Sequence, residues 1–234
     1  MKLFVLFLLP IWFVSCGIEE HYYLPQSPEN NIMRTLDTEA RIVIPTVTDS
    51  YFFRYYQIFY KIYVTAADNA VIFDNPSTFR GELLSDVSAI RPFTDPANTS
   101  ASTGIERLFR DRGFHEMRFE GESNSTMMPQ GQTLYIHFPT DGISRAIASR
   151  SPPTDTNRPN IPLVRSISNP MPDRFFINSE VLRTNTENTD VSRAGGSNNV
   201  YVSMYLVTVG FNSAQVRNIY SKPTHIHIFR LHGN

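Results

Sequence analysis

The 234-residue chain is almost without cysteine, because Cys16 is its only one. A single thiol excludes an internal disulfide framework and a zinc site built on several cysteine ligands. An excess of charge of one sign is also lacking, since 21 lysines and arginines stand against 22 aspartates and glutamates. Domains that bind nucleic acid usually carry a basic face, so this composition argues against a nucleic-acid partner.

Motifs of known chemistry are lacking too. The chain has no Gly-x-Ser-x-Gly nucleophile turn, no His-Glu-x-x-His zinc motif and no glycine-rich phosphate loop leading into a helix. We therefore predict no catalytic set and no cofactor, and we favour a non-enzymatic binding or adhesion module. The alternatives are a structural spacer, or an enzyme acting on an envelope or host glycan that pairs Glu120 or Asp141 with His115 or His137.

Cys16 lies where a lipid-bearing cysteine is expected. Lys2 precedes the apolar run Leu3–Val14, which is too short to span a bilayer, since a spanning helix needs about 20 residues. The run leads into Phe13-Val14-Ser15-Cys16, which resembles the lipobox of bacterial lipoproteins except at Phe13, where leucine is usual. The resemblance implies cleavage before Cys16, acylation of its thiol and a membrane anchor. An ordinary signal peptide with a chance cysteine and a cytosolic chain with an apolar start are the alternatives.

These features divide the chain into three predicted parts. Residues 1–15 are a cleaved signal peptide, and residues 16–38 are a lipid-anchored tether, because prolines and a polar run resist regular structure. Residues 39–234 form one β-rich domain. Inside the tether, the apolar residues Tyr22, Tyr23 and Leu24 are expected to dock on the domain or to lie at the lipid interface.

Aromatic and β-branched residues dominate the ordered segments and predict strands. In Phe52–Val64 the even positions from Tyr56 onward are all apolar, as in a half-buried strand. Asn199–Phe211 and Thr224–Leu231 show a similar pattern. Short strands are predicted at Arg41–Pro45 and Ile219–Tyr220. Weaker candidates are Phe114–Phe119, Thr133–Phe138, Leu163–Ser166 and Arg174–Ile177.

The odd positions of the long strand segment Tyr51–Tyr63 also carry aromatic rings, at Tyr51, Phe53, Tyr55 and Phe59. They are either core or an open platform on which a sugar could stack. We favour core, because an exposed apolar stripe promotes association.

Two helical insertions are predicted near residues 76–90 and 104–112. Asn75 and Pro76 provide an N-cap and a first-turn proline for the first helix. Thr103 and Glu106 have the spacing of a capping box at the second. Polar segments at 91–102, 151–172 and 183–198 are predicted to be long loops that move or bind a partner.

Two strand segments resemble a fibronectin type III domain. Tyr56-x-Ile58-x-Tyr60 is similar to that family's central strand, and Tyr205-x-Val207-x-Val209 followed by Ser221-Lys222-Pro223 is similar to its sixth strand and the start of its seventh. The resemblance implies a mainly β, antiparallel immunoglobulin- or fibronectin type III-like sandwich with helical insertions. The chain departs from the family in the long stretch between the two segments. It also lacks the core tryptophan, since Trp12 is its only one.

The two ends of the chain also look like uncharacterised lipoproteins of spirochaetes, treponemes in particular. This likeness rests on Cys16-Gly17-Ile18-Glu19-Glu20, on Tyr55–Tyr63 and on Ile219–Thr224. It implies a cell-envelope location, with the outer membrane favoured, and no known activity. The expected partners are a membrane, through N-terminal acyl chains, and a protein or glycan ligand.

His225-x-His227 is a weak metal candidate. Residues two apart on a strand share a face, so both imidazoles are expected to reach one ion, with His232 as a third ligand. Zinc sites usually complete the set with cysteine, histidine or carboxylate at a recognisable spacing, and none is near. We therefore predict no metal, and two polar residues on the solvent face of an edge strand are the simpler interpretation.

Overall fold

The computed structural model describes residues 24, 27–35, 37–48, 52–65, 113–152, 155, 159–166, 175–177, 181, 190–194, 199–213, 216–221 and 223–231. Cys16, Tyr51, His232 and both predicted helical insertions lie outside these residues. Within them the chain is mainly β, as predicted, with little helix.

Eleven strands make up the sheet of the described part. Besides them, it contains a 3-10 turn at Glu29–Asn31 and one short helix, α1, at Asn124–Met127, which Ser123 caps by accepting a hydrogen bond from the backbone N–H of Thr126. The strands are β1 (Ile32–Thr35), β2 (Glu39–Val43), β3 (Phe53–Thr65), β4 (His115–Phe119), β5 (Thr133–His137), β6 (Ile147–Ser149), β7 (Ile161–Arg165), β8 (Val191–Ala194), β9 (Asn199–Asn212), β10 (Arg217–Tyr220) and β11 (Thr224–Leu231).

The strongest sequence patterns are confirmed as strands. Phe52–Val64 and Asn199–Phe211 correspond to β3 and β9 within one residue, and Thr224–Leu231 is β11. Among the described residues of the weaker candidate Arg174–Ile177, Phe175 forms an isolated bridge with Val164 and no longer strand.

The strands follow the order β1-β2-β5-β6-β7-β4-β3-β9-β10, with β11 also on β9 and β8 on β3. All neighbours are antiparallel except β8, which is parallel to β3. Strands β10 and β11 lie one after the other along the same edge of β9, while β3 pairs along its other edge. These long pairings make β3 and β9 the centre of the sheet.

The sheet curls until its first and last strands meet. The Arg34 side chain on β1 donates to the carbonyls of Ile226 and His225 on β11, at 2.6 and 2.7 Å. The backbone N–H of Arg230 donates to the Asp37 carbonyl at 2.8 Å. Because the described strands form one continuous curled sheet, the predicted two-sheet sandwich of immunoglobulin or fibronectin type III type is not confirmed.

The core lies on the concave face of this sheet. The even residues of β3 predicted to be inward are fully buried there, among them Tyr56, Ile58 and Ile62. The same core cluster contains residues of β2 and β5 from the other half, such as Ile42 and Ile136. Apolar alternation in both halves thus explains why the sheet closes over itself.

The segment predicted as a tether is partly folded. Strand β1 lies inside residues 16–38 and pairs with β2, and the Thr224 hydroxyl donates to the Ser27 carbonyl at 2.6 Å. Leu24 is buried, in agreement with the docking expected for it. The folded domain therefore begins before residue 39, because backbone pairing and an apolar contact outweigh the local proline signal.

Leu24 docks where β9 carries a glycine. A Cβ added at Gly210 would lie 2.7 Å from the Phe52 carbonyl oxygen and 2.9 Å from Leu24 Cδ1. We expect Gly210→Ala to lower the free energy of unfolding by about 1–3 kcal/mol, as overpacking of a filled site does. Urea unfolding measures this loss, and Ser213→Ala, at an exposed position nearby, is the matched control.

A double-mutant cycle adds Leu24→Ala. If Leu24 fills the space over Gly210, part of the Gly210→Ala loss disappears in the Leu24→Ala background. Fully additive losses would contradict the described docking.

Candidate functional site

The two histidines proposed as metal ligands lie on opposite faces of the sheet. His225 pairs with Tyr205 and His227 pairs with Met204, because a β-bulge shifts the register between the two histidines. The His225 ring lies 5.1 Å from the Tyr205 ring, whereas the buried His227 packs edge-on to Phe229 at 4.9 Å. The premise that residues two apart share a face therefore fails here.

The histidines and carboxylates of the hypothetical enzyme are not assembled. His115 begins β4 and its Nδ1 lies 3.1 Å from the Ser166 carbonyl. Glu120 follows the other end of that strand, roughly 16 Å away at the usual rise per residue. Glu120 Oε2 instead lies 4.0 Å from Arg145 on the surface.

Asp141 and His137 do not form such a pair either. The exposed Asp141 carboxylate accepts hydrogen bonds from the backbone N–H groups of Ile143 and Ser144, at 3.0 and 2.8 Å, and from the Ser144 hydroxyl. These bonds, that of the Ser144 hydroxyl first, hold the pKa of Asp141 below its usual value. A carboxylate fixed in this way shapes a turn and is a poor general acid. His137 lies in β5, where it pairs with Glu39 and Ile147.

The aromatic odd positions of β3 do not form an open platform. Phe59 is buried, so the expectation of core is confirmed at that residue. Phe53 and Tyr55 are half-buried.

The most elaborate polar cluster of the described residues is a buried ion pair, Arg165 with Asp190, joined by Tyr60. The three side chains are 2%, 1% and 0% exposed. Arg165 Nε and Nη2 donate to the two carboxylate oxygens at 2.8 and 2.5 Å, and the Tyr60 hydroxyl donates to Asp190 Oδ2 at 2.7 Å. The hydroxyl also accepts from the Ser166 backbone N–H at 3.0 Å.

This cluster ties three strands together. Tyr60 comes from β3 and Arg165 ends β7, while Asp190 directly precedes β8 and its carbonyl accepts from the Ile62 N–H at 3.2 Å. It thereby fixes β8 on the edge of β3. Because all three groups are buried and hydrogen-bonded to one another, the cluster is an internal brace of the sheet.

The cluster shifts the pKa values of Tyr60 and Arg165. Burial, and then the negative charge of Asp190, raise the pKa of Tyr60 well above 10.0. Burial alone would lower the pKa of Arg165, but its hydrogen bond to Asp190 and the charge of that residue hold the pKa above its usual value. Arg165 is therefore charged and Tyr60 neutral across the physiological range.

Alkaline unfolding tests the state of Tyr60. In the unfolded chain this tyrosine ionises near pH 10, whereas in the native protein Tyr60 keeps its proton. The contribution of Tyr60 to the free energy of unfolding is therefore fully present below pH 10 and decreases as the pH rises further. We expect Tyr60→Phe to be less stable than wild type at pH 8. We expect the difference to shrink above pH 10 by up to about 1.4 kcal/mol per pH unit. A difference in urea-unfolding free energies that stays constant to pH 11 would contradict the raised pKa.

One end of the sheet presents the turn between β5 and β6, residues 138–146, which we name the β5–β6 end. Phe138 and Ala146 at its two ends are buried, and its tip around Ile143 is exposed. His137 before the turn pairs with Glu39, and Asp37 bonds to Arg230, which pairs with Tyr201 near the start of β9. The turn thus lies at the end of the sheet where β9 begins.

This end carries an exposed apolar side chain beside a fixed cation. Ile143 is 64% exposed. The Arg145 guanidinium lies 3.6 Å from the centroid of the buried Phe175 ring, which orients it while leaving it accessible. Arginine so held and an exposed apolar residue are typical of protein-binding surfaces.

The opposite end is where β9 finishes, and we name it the β9–β10 end. It holds the turn between β9 and β10, with Phe52 and Leu24 against Gly210. Val216 in the turn is 77% exposed. At about 3.3 Å per residue, β9 is itself roughly 40 Å long.

Sequence reasoning missed Arg145, Phe175, Arg165 and Asp190. Each of these residues lies in or beside a polar segment, and its partner is remote along the chain. The sequence offered one indication of the ion pair, namely Arg165 directly after the apolar Leu163 and Val164 in a strand candidate.

Comparison of the chain with family models, with curated proteins and with solved structures gave no match. The described residues contain no group of three histidines, cysteines or carboxylates able to hold a metal ion. They also contain no helix that is long and apolar enough to cross a membrane.

Proposed function

We propose that the protein is a lipid-anchored lipoprotein of the cell envelope, favoured in the outer membrane, whose β domain is a non-enzymatic module that binds a protein or a glycan. Two features support the proposal, the lipobox-like sequence at Cys16 and the exposed surface at the β5–β6 end. The second is the observation that carries the binding function.

The anchor and the binding surface belong to opposite ends of the domain. Leu24, eight residues after Cys16, is packed at the β9–β10 end. Eight residues span at most about 28 Å, so an acylated Cys16 holds this end near the bilayer. The β5–β6 end then lies on the far side of the domain, where a partner outside the membrane reaches it.

The β5–β6 end is built to hold its shape. Asp141 fixes the turn through its bonds to Ile143 and Ser144, and Phe175 orients Arg145. A surface whose side chains are already ordered loses less entropy on binding. Ile143 supplies apolar area at the centre and Arg145 a directional donor beside it.

The module is proposed to be of immunoglobulin or fibronectin type III kind, elaborated into the curled sheet. Support comes from β9, which has β3 on one edge and, on the other, β10 and then β11, the strand that begins after Pro223. The order β3-β9-β11 matches the three neighbouring C, F and G strands of an immunoglobulin-type sheet.

The anchor is tested by metabolic labelling with a radioactive fatty acid. Wild type is expected to incorporate label, and Cys16→Ser is expected to incorporate none. Label retained by Cys16→Ser, or absent from wild type, refutes the assignment.

The binding function is tested on arrays of purified glycans and of purified envelope and host-surface proteins. A true ligand is expected to bind the wild type and to lose about tenfold in affinity with Arg145→Ala or Ile143→Asp. Met33→Ala changes another exposed apolar residue, on β1, and is the matched control that leaves binding unchanged. Ligands that bind all variants equally, or an array without any ligand at micromolar concentration, count against the proposal.

A further inference from the structure

We infer that the β9–β10 end is a membrane-contacting surface that rests on the lipid headgroups, with Val216 entering the interface. This inference rests on the proposed anchor at Cys16, and it adds a fixed orientation of the domain on the bilayer.

The path of the N-terminal chain is the first support. The Thr224 hydroxyl binds the Ser27 carbonyl, and Leu24 beyond it lies against Gly210. Leu24 thus places the N-terminal chain at the β9–β10 end, eight residues after Cys16. Tethering by so short a link gives this surface an effective concentration at the bilayer of about millimolar, so a weak contact is enough to hold it there.

Val216 is the second support. It is 77% exposed, more than the other large apolar side chains of the described part that lie at the surface. Its φ is +51°, in the left-handed region that a β-branched residue rarely adopts and that glycine or asparagine adopts easily. For a domain in water, Val216 therefore carries two penalties. Its apolar side chain is exposed to solvent, and its backbone adopts a left-handed conformation. A lipid interface relieves the first of these penalties.

The surroundings of Val216 suit the headgroup region. Phe52, Phe53 and Phe211 are half-buried at this end, and the exposed Arg54 lies with its guanidinium 5.6 Å from the centroid of the Phe211 ring. Aromatic rings and arginine are the side chains that settle at the boundary between headgroups and acyl chains.

The described charge at this end is positive at Arg54. Its guanidinium is exposed and lies over the Phe211 ring. Anionic lipids attract such a cation without a dedicated binding pocket. The occupant that we propose is therefore an anionic lipid surface.

The test uses a tryptophan placed at the turn. Cleavage before Cys16 would remove Trp12, so the acylated chain has no tryptophan of its own. Acylated Val216→Trp is reconstituted into vesicles of phosphatidylcholine with a minor fraction of phosphatidylglycerol, either plain or with brominated acyl chains. Acylated Ile143→Trp, at the other exposed turn, is the matched control.

Val216→Trp emission is expected to shift to the blue and to be quenched about twofold by brominated lipid, since interfacial groups reach the top of the acyl chains. Ile143→Trp is expected to stay red-shifted and unquenched. Equal quenching of the two variants, or none in either, overturns the inference. A mass spectrum of the same sample shows whether the protein is acylated. Protein without acyl chains contradicts the proposed anchor. Acylated protein whose Val216→Trp emission is not quenched contradicts the proposed orientation.

A second measurement keeps Val216 in place. The acylated chain has no free thiol, so Asn218→Cys, at an exposed position on β10, accepts one environment-sensitive dye. Adding Val216→Asp is expected to lower the dye emission on the same vesicles about twofold, because a charged tip does not enter the interface. Emission that does not change on this addition contradicts a role for Val216.

Discussion

Replacement of Asp190 by alanine is expected to lower the free energy of unfolding by about 3–5 kcal/mol, because it leaves a buried charge without its partner. Arg165 is 2% exposed, so its guanidinium has no water to replace the carboxylate. The Tyr60 hydroxyl loses its acceptor at the same time. Urea unfolding followed by far-UV circular dichroism measures the loss.

The matched controls separate two effects on the free energy of unfolding, namely the loss caused by an unpaired buried charge and the net contribution of the ion pair. Arg165→Met alone is expected to cost about as much as Asp190→Ala, whereas Arg165→Met with Asp190→Leu is expected to recover most of the stability, within about 1 kcal/mol of wild type. Glu120→Ala, which breaks the exposed contact with Arg145, is expected to change stability by no more than about 0.5 kcal/mol. A loss below about 1 kcal/mol for Asp190→Ala would contradict the buried brace.

Phe138→Ala is expected to lower the free energy of unfolding by about 3–5 kcal/mol, as for other fully buried aromatic residues. Phe138 follows β5, and its ring stacks on Phe229 of β11 with centroids 4.4 Å apart. It also meets the Phe176 ring edge-on at 5.8 Å. The ring therefore joins the two halves of the curled sheet, and its removal leaves a cavity between them. Thermal and urea unfolding both report this loss.

Two variants calibrate the loss at Phe138. Phe138→Leu keeps most of the volume and is expected to cost less than half as much as Phe138→Ala. Ile143→Ala removes an exposed apolar side chain on the turn that follows and is expected to be neutral within about 0.5 kcal/mol. A neutral Phe138→Ala would show that the halves of the sheet are held elsewhere.

Alternation of apolar residues predicted the central strands well because it is a local signal. In β3 each second side chain from Tyr56 faces the core, and the pattern is visible without knowing its partner. The bounds of β9 and β11 were also predicted within a residue, although the bulge in β11 breaks its alternation. The mainly β class followed from these segments.

Pairing between distant residues left no such signal. Tyr60 and Asp190 are 130 residues apart, and Arg165 and Asp190 are 25 apart, so their brace was not predicted. The β-bulge in β11 reverses the face of His225 relative to His227 and has no local marker such as glycine. Strand β1 was missed because its polar sequence carries no strand pattern, and the strand is held by backbone pairing with β2.

The pairing of β3 with β9 has a consequence for how the domain folds. These two strands pair from Phe53 to Thr65, with one register shift next to Phe53, yet β9 begins at Asn199, more than 130 residues after β3 ends. Contacts between residues so far apart form slowly, in milliseconds to seconds, because a long loop must close first. During synthesis the aromatic-rich β3 therefore stays unpaired along this edge until β9 has been made, and in that interval the chain is most prone to aggregate.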